Sequence, residues 1–283
     1  MAGDVGIGLI GGGLMGKEMA AAIGRWAAIE QHPARPRLVA VCDTNPDVLA
    51  WFERIDTVRL RTGDYRELLA DEAVEVVYIA LPHHLHEQVY ADAVAAGKDF
   101  LGEKPFGIDL AAAERLVAAI EARPGLFVRC SSEMPFFPGA QLAFQVIRSG
   151  ALGQIIEAHS SFLHSSDLDP AKPINWKRRA ATCGAIGVMG DLGMHVTHVP
   201  LRLGWAPQRL YAVLQDLVSE RPDGHGGMAV CDTIDNATLH CTVVAHDQWF
   251  PLTLETKRIA PGEMNTWRLR VTGMRGGVEF STR

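Results

Sequence analysis

The chain has 283 residues, of which 48% are hydrophobic and 21% are charged, and its formal net charge is −6 at pH 7. This length allows two domains, and the acidic balance argues against nucleic acids and anionic membranes as partners, because both select basic surfaces. No basic leader with a cleavable apolar core and no apolar run of membrane-spanning length is evident, so we expect a cytoplasmic protein.

The first predicted strand covers residues 5–10 and leads through a G-x-G-x-x-G motif into a helix predicted over residues 14–29. Glycines at this spacing allow a tight turn, close approach of a ligand to the backbone, and close packing of the helix on the strand. The helix N-terminus then presents N–H groups and its positive dipole end to phosphates. A plain glycine turn is the alternative, but this context favours a dinucleotide pyrophosphate site. The residues assigned to it are Gly11, Gly13, Leu14, Met15 and Gly16.

The second predicted strand, residues 38–42, is continuously apolar and ends at Asp43. An acid at this position is placed to bind a ribose diol and would repel the extra phosphate of NADP, so we expect NAD as the cofactor, with NADP as the alternative. Asp43 lies further from the glycine motif than usual, and we assign the extra residues to a polar loop over residues 30–37. Asp43 could instead cap the turn before Asn45 and Pro46.

Strand and helix signals continue to alternate up to residue 131, which predicts a doubly wound parallel sheet of the α/β class. The predicted elements are a helix over residues 46–52, a weak strand near Val58, a helix capped by Asp64, a strand over 74–81, a helix over 84–96, a strand over 98–101, a helix over 109–122 capped by Asp109, and a strand over 126–130. We therefore predict a nucleotide-binding domain over residues 1–131.

After residue 131 the pattern changes to a helix over residues 137–149 and then to long segments in which apolar and polar residues alternate. The segments are residues 154–163, 209–218, 237–244, 251–257, 267–272 and 277–280. A period of two indicates an antiparallel sheet with one covered and one more open face. We predict an α+β domain over residues 132–283.

Two loops that follow predicted strands are candidate ligand contacts, because open α/β sheets bind ligands beside the carboxyl ends of their strands. The first loop contains Pro82 and three histidines, His83, His84 and His86. These histidines lack metal-ligand spacing, so we expect no metal and favour helix capping or contact with a nicotinamide ring. We assign Pro82 and His86 to cofactor binding.

The second loop contains Glu103, Lys104 and Pro105. A lysine at the end of a parallel strand, before a proline that fixes the chain direction, is predicted to point into the same crevice. Its ammonium group is suited to proton exchange with a hydroxyl group, so we assign Lys104 to catalysis, and both Glu103 and Lys104 to cofactor binding. An exposed surface lysine is the alternative.

The segment around Asp191, His195 and His198 places these residues at i, i+4 and i+7, on one face of a predicted helix. A carboxylate one turn before an imidazole can orient it and raise its basicity, which makes His195 a candidate general base. A purely structural pair is the alternative, and Pro200 is expected to kink the helix. The opposite, apolar face consists of Leu192, Val196, Val199 and Leu203.

A loop over residues 167–179 precedes this helix. Long loops in compact domains are often binding loops, so Trp176 is a candidate platform for sugar C–H groups. Lys172 or Lys177 could bind hydroxyls or an acid group. A solvated basic loop with Trp176 packed inward is the alternative.

The cysteines are odd in number, widely spaced and without a C-x-x-C pair. We therefore expect reduced core residues rather than disulfides or metal ligands. They are Cys42, Cys130, Cys183, Cys231 and Cys241.

Four features in this order resemble those of the glucose/fructose oxidoreductase, inositol dehydrogenase and MocA (Gfo/Idh/MocA) family, over nearly the whole chain. They are the glycine motif, Asp43, Glu103-Lys104-Pro105 and Asp191-x-Gly193-x-His195. The resemblance implies a Rossmann domain followed by an open-faced sheet, a tightly held NAD(P), and a sugar or polyol substrate. It also implies that Lys104, Asp191 and His195 surround the reacting carbon, and that the open sheets pair in homodimers or homotetramers.

Members of the family are usually longer and commonly have Asn at the position of His83, an Asn-Tyr-Arg-like stretch at residues 132–134, and Asp at the position of His198. These departures leave the sugar unidentified. We predict an NAD(P)-dependent dehydrogenase acting on a secondary alcohol of a sugar, sugar derivative or cyclitol, with an NAD-dependent glycosidase and a non-catalytic NAD(P)-sensing regulator as alternatives. The predicted substrate contacts are Lys104, Trp176, Lys177, Asp191, His195 and His198.

Overall fold

The computed structural model describes residues 3–29 and 32–283. Within this part, the chain forms two compact units, the first ending at Ser131 and the second beginning at Ser132. Two residues of the loop predicted over 30–37, Glu30 and Gln31, lie outside the described residues. Every helix in the described part is too short or too polar to cross a membrane.

The first unit contains a six-stranded parallel sheet with the strand order β3-β2-β1-β4-β5-β6. This is the order of doubly wound dinucleotide-binding sheets, so the predicted fold class is confirmed. The order reverses between β1 and β4, and ligands bind such sheets in the crevice beside the carboxyl ends of those strands. The strands are β1 (Gly3–Ile10), β2 (Ala34–Cys42), β3 (Leu60–Thr62), β4 (Val76–Ile79), β5 (Asp99–Glu103) and β6 (Val128–Ser131).

Helices cover both faces of this sheet, as parallel strands require, and several begin at a capping side chain. Asp64 accepts a hydrogen bond from the backbone N–H of Arg66, and Asp109 accepts one from Ala112, as the sequence predicts. The helices are α1 (Leu14–Gly24), α2 (Pro46–Trp51), α3 (Tyr65–Ala70), α4 (His86–Ala95) and α5 (Leu110–Glu121).

Two boundaries near the glycine motif differ from the prediction. Helix α1 ends at Gly24 and a short 3₁₀ turn follows, so the helix does not reach residue 29. Strand β2 begins at Ala34, inside the predicted loop, because this stretch pairs with the start of β1. Arg37 also lies 3.7 Å from the carboxylate of Asp4 on β1.

Further boundaries differ elsewhere in the first unit, including β4, which covers Val76–Ile79 rather than residues 74–81. The weak strand predicted near Val58 is instead Leu60–Thr62, which pairs with the end of β2. The helix predicted from residue 84 begins at His86, because a 3₁₀ turn at His83–Leu85 comes first.

The second unit contains a six-stranded sheet with the order β14-β13-β7-β12-β11-β8. All neighbouring strands are antiparallel except β7 and β12, which confirms a mostly antiparallel sheet. A short hairpin, β9 (Glu220–Pro222) with β10 (Met228–Val230), was not predicted. The sheet strands are β7 (Ile155–Leu163), β8 (Pro207–Gln215), β11 (Asn236–Ala245), β12 (Gln248–Lys257), β13 (Thr266–Gly273) and β14 (Gly276–Ser281).

One face of this sheet is covered by helices α6 (Pro138–Arg148) and α8 (Val188–Leu203), and a short α7 (Ala180–Cys183) precedes α8. The apolar stripe predicted on α8 is buried in this core, with Val196 and Val199 fully enclosed. The other face is more open and exposes Tyr211 and Trp249. The polar residues of helix α8 thus lie on a helix that is packed against the sheet.

Candidate active site

The glycine motif forms a turn that only glycine fits at two of its positions. Gly11 has a φ of +94°, and a Cβ atom there would lie 2.1 Å from the carbonyl oxygen of Ala80 at the end of β4. A Cβ atom at Gly16 would lie 2.3 Å from the carbonyl oxygen of Gly11. Both glycines therefore serve close packing of strand, turn and helix α1.

Gly13 has a different role, because a Cβ atom there would meet nothing within 4 Å. It precedes α1, and neither a side-chain cap nor an acidic residue occupies the helix N-terminus. Leu14 and Met15, the first two helical residues, are exposed. This open backbone, with its N–H groups and positive dipole end, fits the pyrophosphate of a dinucleotide.

Asp43 connects the glycine loop to the turn after β2. Its Oδ2 atom accepts a hydrogen bond from the backbone N–H of Gly12, and its Oδ1 atom accepts one from Asn45, both at 2.8 Å. The alternative role as a turn cap is thus present in the structure. Because each carboxylate oxygen has two acceptor positions, capacity for a ribose hydroxyl remains, and that contact stays a prediction.

His86, a predicted cofactor contact, is buried between two loops of the first unit. Its side chain is 0% exposed, with Nε2 2.8 Å from the carbonyl oxygen of Leu81 and Nδ1 2.8 Å from that of Pro105. The ring stacks on Tyr90, and burial lowers the pKa of His86. Both ring nitrogens face backbone carbonyl oxygens, and contact between His86 and the cofactor stays a prediction. His86 holds together the loops that follow β4 and β5, beginning at Pro82 and Lys104.

Glu103 is buried beneath the loop that carries Lys104. Its Oε1 atom accepts a hydrogen bond of 2.5 Å from the hydroxyl of Tyr78, and its Oε2 atom accepts one of 3.2 Å from the backbone N–H of Lys104. The hydroxyl of Tyr90 donates to the carbonyl of Glu103 at 2.6 Å, and burial raises the pKa of Tyr90 well above its usual value. The peptide between Lys104 and Pro105 is cis. The hydrogen bonds of Glu103 orient the backbone at Lys104, which is half-buried.

Asp191 and His195 lie on helix α8 and are both buried, at 2% and 5% exposure. The Oδ2 atom of Asp191 lies 3.1 Å from Nζ of Lys177 and 3.4 Å from Nη2 of Arg258. The other guanidinium nitrogen, Nη1, donates to the carbonyl of Lys177 at 2.9 Å. Arg258, which sequence reasoning missed, therefore ties the loop around Trp176 to the carboxylate on α8.

Three contacts position His195, two of them on its ring. Its Nδ1 atom lies 3.2 Å from the hydroxyl of Ser132, and the Phe162 ring makes an edge contact with a centroid distance of 4.6 Å. The indole N–H of Trp267 donates to the His195 carbonyl at 2.9 Å. Ser132 was noted in the sequence only as a departure from the family pattern.

His198 is half-buried and pairs with Arg202 one turn later on α8. The Nε–H of Arg202 donates to Nδ1 of His198 at 3.4 Å. Burial, with a further effect of the Arg202 charge, lowers the pKa of His198 to about 4. Its predicted substrate contact stays untested. The helix continues past Pro200 to Leu203.

The loop over residues 167–179 is anchored near its two ends by the buried charges of Asp167 and Arg178, while residues 168–171 between them are exposed. The fully buried Arg178 pairs with Asp235, and its Nη1 atom lies 3.8 Å from the carboxylate of Asp167. Arg221, also buried, donates to the Asp167 carbonyl at 2.6 Å. Trp176 is half-buried beside Lys177. Local sequence patterns do not indicate this network, because the partners in the Arg178–Asp235 and Arg221–Asp167 contacts lie more than 50 residues apart.

The described residues contain no group of three or more His, Cys, Asp or Glu side chains that could hold a metal ion. Each of the five cysteines is a thiol, and four of them are buried. Burial raises the pKa of Cys42 to about 12 and that of Cys130 to about 11.

Comparison with known proteins matches both units. Residues 5–129 match the model of an oxidoreductase family with an NAD-binding Rossmann fold, and residues 140–279 match the GFO/IDH/MocA C-terminal domain. Levoglucosan dehydrogenase of Pseudarthrobacter phenanthrenivorans is 26% identical over 294 residues, covering 98% of this chain and 74% of the relative. Trans-1,2-dihydrobenzene-1,2-diol dehydrogenase of Sus scrofa is 28% identical over 207 residues, covering 69% and 59%.

Solved structures with the same fold include levoglucosan dehydrogenase in complex with NADH and L-sorbose. It superposes with a TM-score of 0.89 at 27% identity, over 99% of this chain and 73% of that one. An NAD binding oxidoreductase from Klebsiella pneumoniae gives a TM-score of 0.85 at 29% identity, over 98% and 73%.

Proposed function

Because the chain belongs to the Gfo/Idh/MocA oxidoreductase family over both of its units, we propose that it is an NAD-dependent dehydrogenase. Its substrate is a secondary alcohol of a sugar, sugar derivative or cyclitol. The observation that carries this proposal is the open N-terminus of helix α1 at Gly13, where the backbone N–H groups are accessible to phosphates. The same chain carries a helix in which the Asp and His of an Asp-x-Gly-x-His motif are buried. Relatives named as sugar and diol dehydrogenases support it.

We assign cofactor binding to residues 1–131 and substrate binding to residues 132–283. The turn at Gly11, Gly13 and Gly16 would hold the pyrophosphate, and Asp43 would bind the ribose. Loops beginning at Pro82 and Lys104 border the same end of the sheet. When bound, NAD supplies the oxidised nicotinamide that accepts a hydride.

The acid–base chemistry is assigned to Lys104, Asp191 and His195. His195 accepts the hydroxyl proton at Nε2, and the Lys104 ammonium group donates a hydrogen bond to the developing alkoxide. The Asp191 carboxylate, which contacts both Lys177 and Arg258, is assigned an orienting role. Each acid–base group is expected to contribute roughly 10² to 10⁴ in rate.

Substrate contacts beyond the reacting carbon are assigned to Trp176, Lys177 and His198. The half-buried indole offers an apolar face to sugar C–H groups, and Lys177 lies beside the Asp191 carboxylate. We also propose that the open sheet face, which exposes Tyr211 and Trp249, pairs with a second copy in a homodimer or homotetramer. Free cysteines are consistent with the cytoplasm as the proposed compartment.

The test is the absorbance of reduced nicotinamide, recorded over a panel of sugars and polyols that includes levoglucosan, with NAD and with NADP. Sugar-dependent formation of NADH supports the proposal. Release of reducing sugar from glycosides without net NADH would favour a glycosidase, and tight NAD binding without turnover would favour a regulator.

A further inference from the structure

The contact between Ser132 and His195 is buried at both ends. The Oγ atom of Ser132 lies 3.2 Å from Nδ1 of His195, and the side chains are 8% and 5% exposed. The two residues are 63 positions apart, so only the folded second unit brings them together. Because solvent is largely excluded, the hydroxyl is the group described next to this ring nitrogen.

Two further contacts help to fix where the His195 ring lies. The Phe162 ring meets it edge-on at an interplanar angle of 62°, and the Trp267 indole bonds to the backbone carbonyl. Neither contact involves a ring nitrogen of His195 as donor or acceptor. The hydroxyl of Ser132 can do both, because it rotates to donate or to accept.

A neutral imidazole carries one N–H and one lone pair, so its tautomer decides which nitrogen acts as a base. For Nε2 to take a proton from an alcohol, the N–H must be on Nδ1. The proton then passes from the alcohol oxygen to Nε2, while the hydride leaves the carbon for NAD. The resulting imidazolium keeps its Nδ1–H, so a hydroxyl acceptor there serves the ring before and after the transfer.

We propose that Ser132 is a positioning residue that accepts a hydrogen bond from Nδ1–H of His195 and so keeps the lone pair on Nε2. The inference rests on the proposed function, in which His195 is the general base. Ser132 is uncharged, so it fixes the tautomer without placing a carboxylate beside Nδ1.

The kinetic test compares Ser132→Ala with Ser132→Thr, which keeps a hydroxyl, and with Ser161→Ala as a matched control. Ser161 is fully buried on β7, and within the described residues its hydroxyl has no hydrogen-bond partner. We expect Ser132→Ala to lower kcat about tenfold, the worth of one lost hydrogen bond, with little change in KM. Ser132→Thr should keep most of the activity and Ser161→Ala all of it.

The pH profile separates positioning from a merely structural role. In Ser132→Ala the imidazolium loses a charge-assisted hydrogen bond, so the acidic limb of kcat/KM should move to lower pH while the plateau falls. If the kcat/KM profile of Ser132→Ala keeps both the acidic limb and the plateau of the wild type, the inference is overturned.

A measurement without substrate tests the tautomer directly. In ¹⁵N-histidine NMR spectra, with the His195 signals identified by their loss in His195→Gln, the wild type should show a protonated Nδ1 and Ser132→Ala a shift toward Nε2–H. The same tautomer in both proteins would refute the role of Ser132. A wild type that oxidises no sugar would instead defeat the proposed function, since the NMR result does not depend on turnover.

Discussion

The ammonium group of Lys177 lies 3.1 Å from Oδ2 of Asp191, and Nη2 of Arg258 lies 3.4 Å from the same oxygen. One carboxylate oxygen is thus shared by a side chain that is 40% exposed and one that is almost fully buried. The exposed cation can regain water when the pair is broken, whereas the buried cation cannot.

Asp191→Asn should therefore destabilise the fold more than Lys177→Gln. The first change leaves the buried guanidinium of Arg258 without its carboxylate, which we expect to lower the free energy of unfolding by about 3 kcal/mol. The second removes a partly solvated partner, which should cost less than about 1 kcal/mol. Urea unfolding of the two variants measures the difference, and equal losses would contradict it.

Gly13→Ala and Gly16→Ala should separate cofactor binding from folding. A methyl group at Gly13 meets open space, so the fold should keep its stability within about 0.5 kcal/mol while NAD binds at least about tenfold more weakly. A methyl group at Gly16 collides with the Gly11 carbonyl and should destabilise the first unit. Calorimetric titration with NAD, beside thermal unfolding, checks both. Wild-type affinity in Gly13→Ala would exclude the proposed pyrophosphate site.

Asp43→Asn should weaken the preference for NAD over NADP. The amide oxygen can keep one of the two contacts, to Gly12 or to Asn45, while its NH2 group replaces the other acceptor, and the change removes the negative charge that repels a ribose phosphate. We expect kcat/KM for NAD to fall about tenfold, in line with the loss of a charged hydrogen bond. The ratio of kcat/KM with NAD to kcat/KM with NADP should fall as well. If the variant discriminates as the wild type does, Asp43 is a turn cap only.

His198 should make the fold less stable in mild acid. Its pKa is about 4 in the folded chain against an ordinary value of 6.5, so the unfolded chain binds a proton that the folded chain does not. Stability is therefore full above pH 6.5 and falls as the pH drops toward 4. Between about pH 7 and pH 5 the loss at this position is at most about 2 kcal/mol. In His198→Gln the free energy of unfolding, measured with urea, should depend less on pH between 7 and 5. The same pH dependence as in the wild type would show that His198 does not cause the loss of stability.

Local patterns in the sequence predicted the fold well, because each strand and helix carries its own periodicity. The glycine motif, the caps at Asp64 and Asp109 and the switch from parallel to antiparallel strands all rest on neighbouring residues. The predicted start of β2 at residue 38 was wrong, because the polar, proline-containing stretch before it pairs with β1 from Ala34 onward.

The surroundings of the candidate site could not be predicted in the same way. The partners of Asp191 and His195 include Arg258 and Ser132, which lie more than 60 residues away in sequence. His86 was assigned to the cofactor because it follows a strand, but nothing local indicates that its ring turns inward between two carbonyl oxygens. Sequence spacing therefore proposed the candidate residues and missed the contacts that hold them.

The most direct test of the account is sugar-dependent formation of reduced nicotinamide by the wild type, Lys104→Ala and His195→Ala, with His159→Ala as a histidine control on the sheet. His159 lies on β7, where it pairs with Glu255. We predict a fall in kcat of roughly 10² to 10⁴ for Lys104→Ala and for His195→Ala, and near wild-type turnover for the control. Full turnover in either of the first two variants would contradict the proposed chemistry.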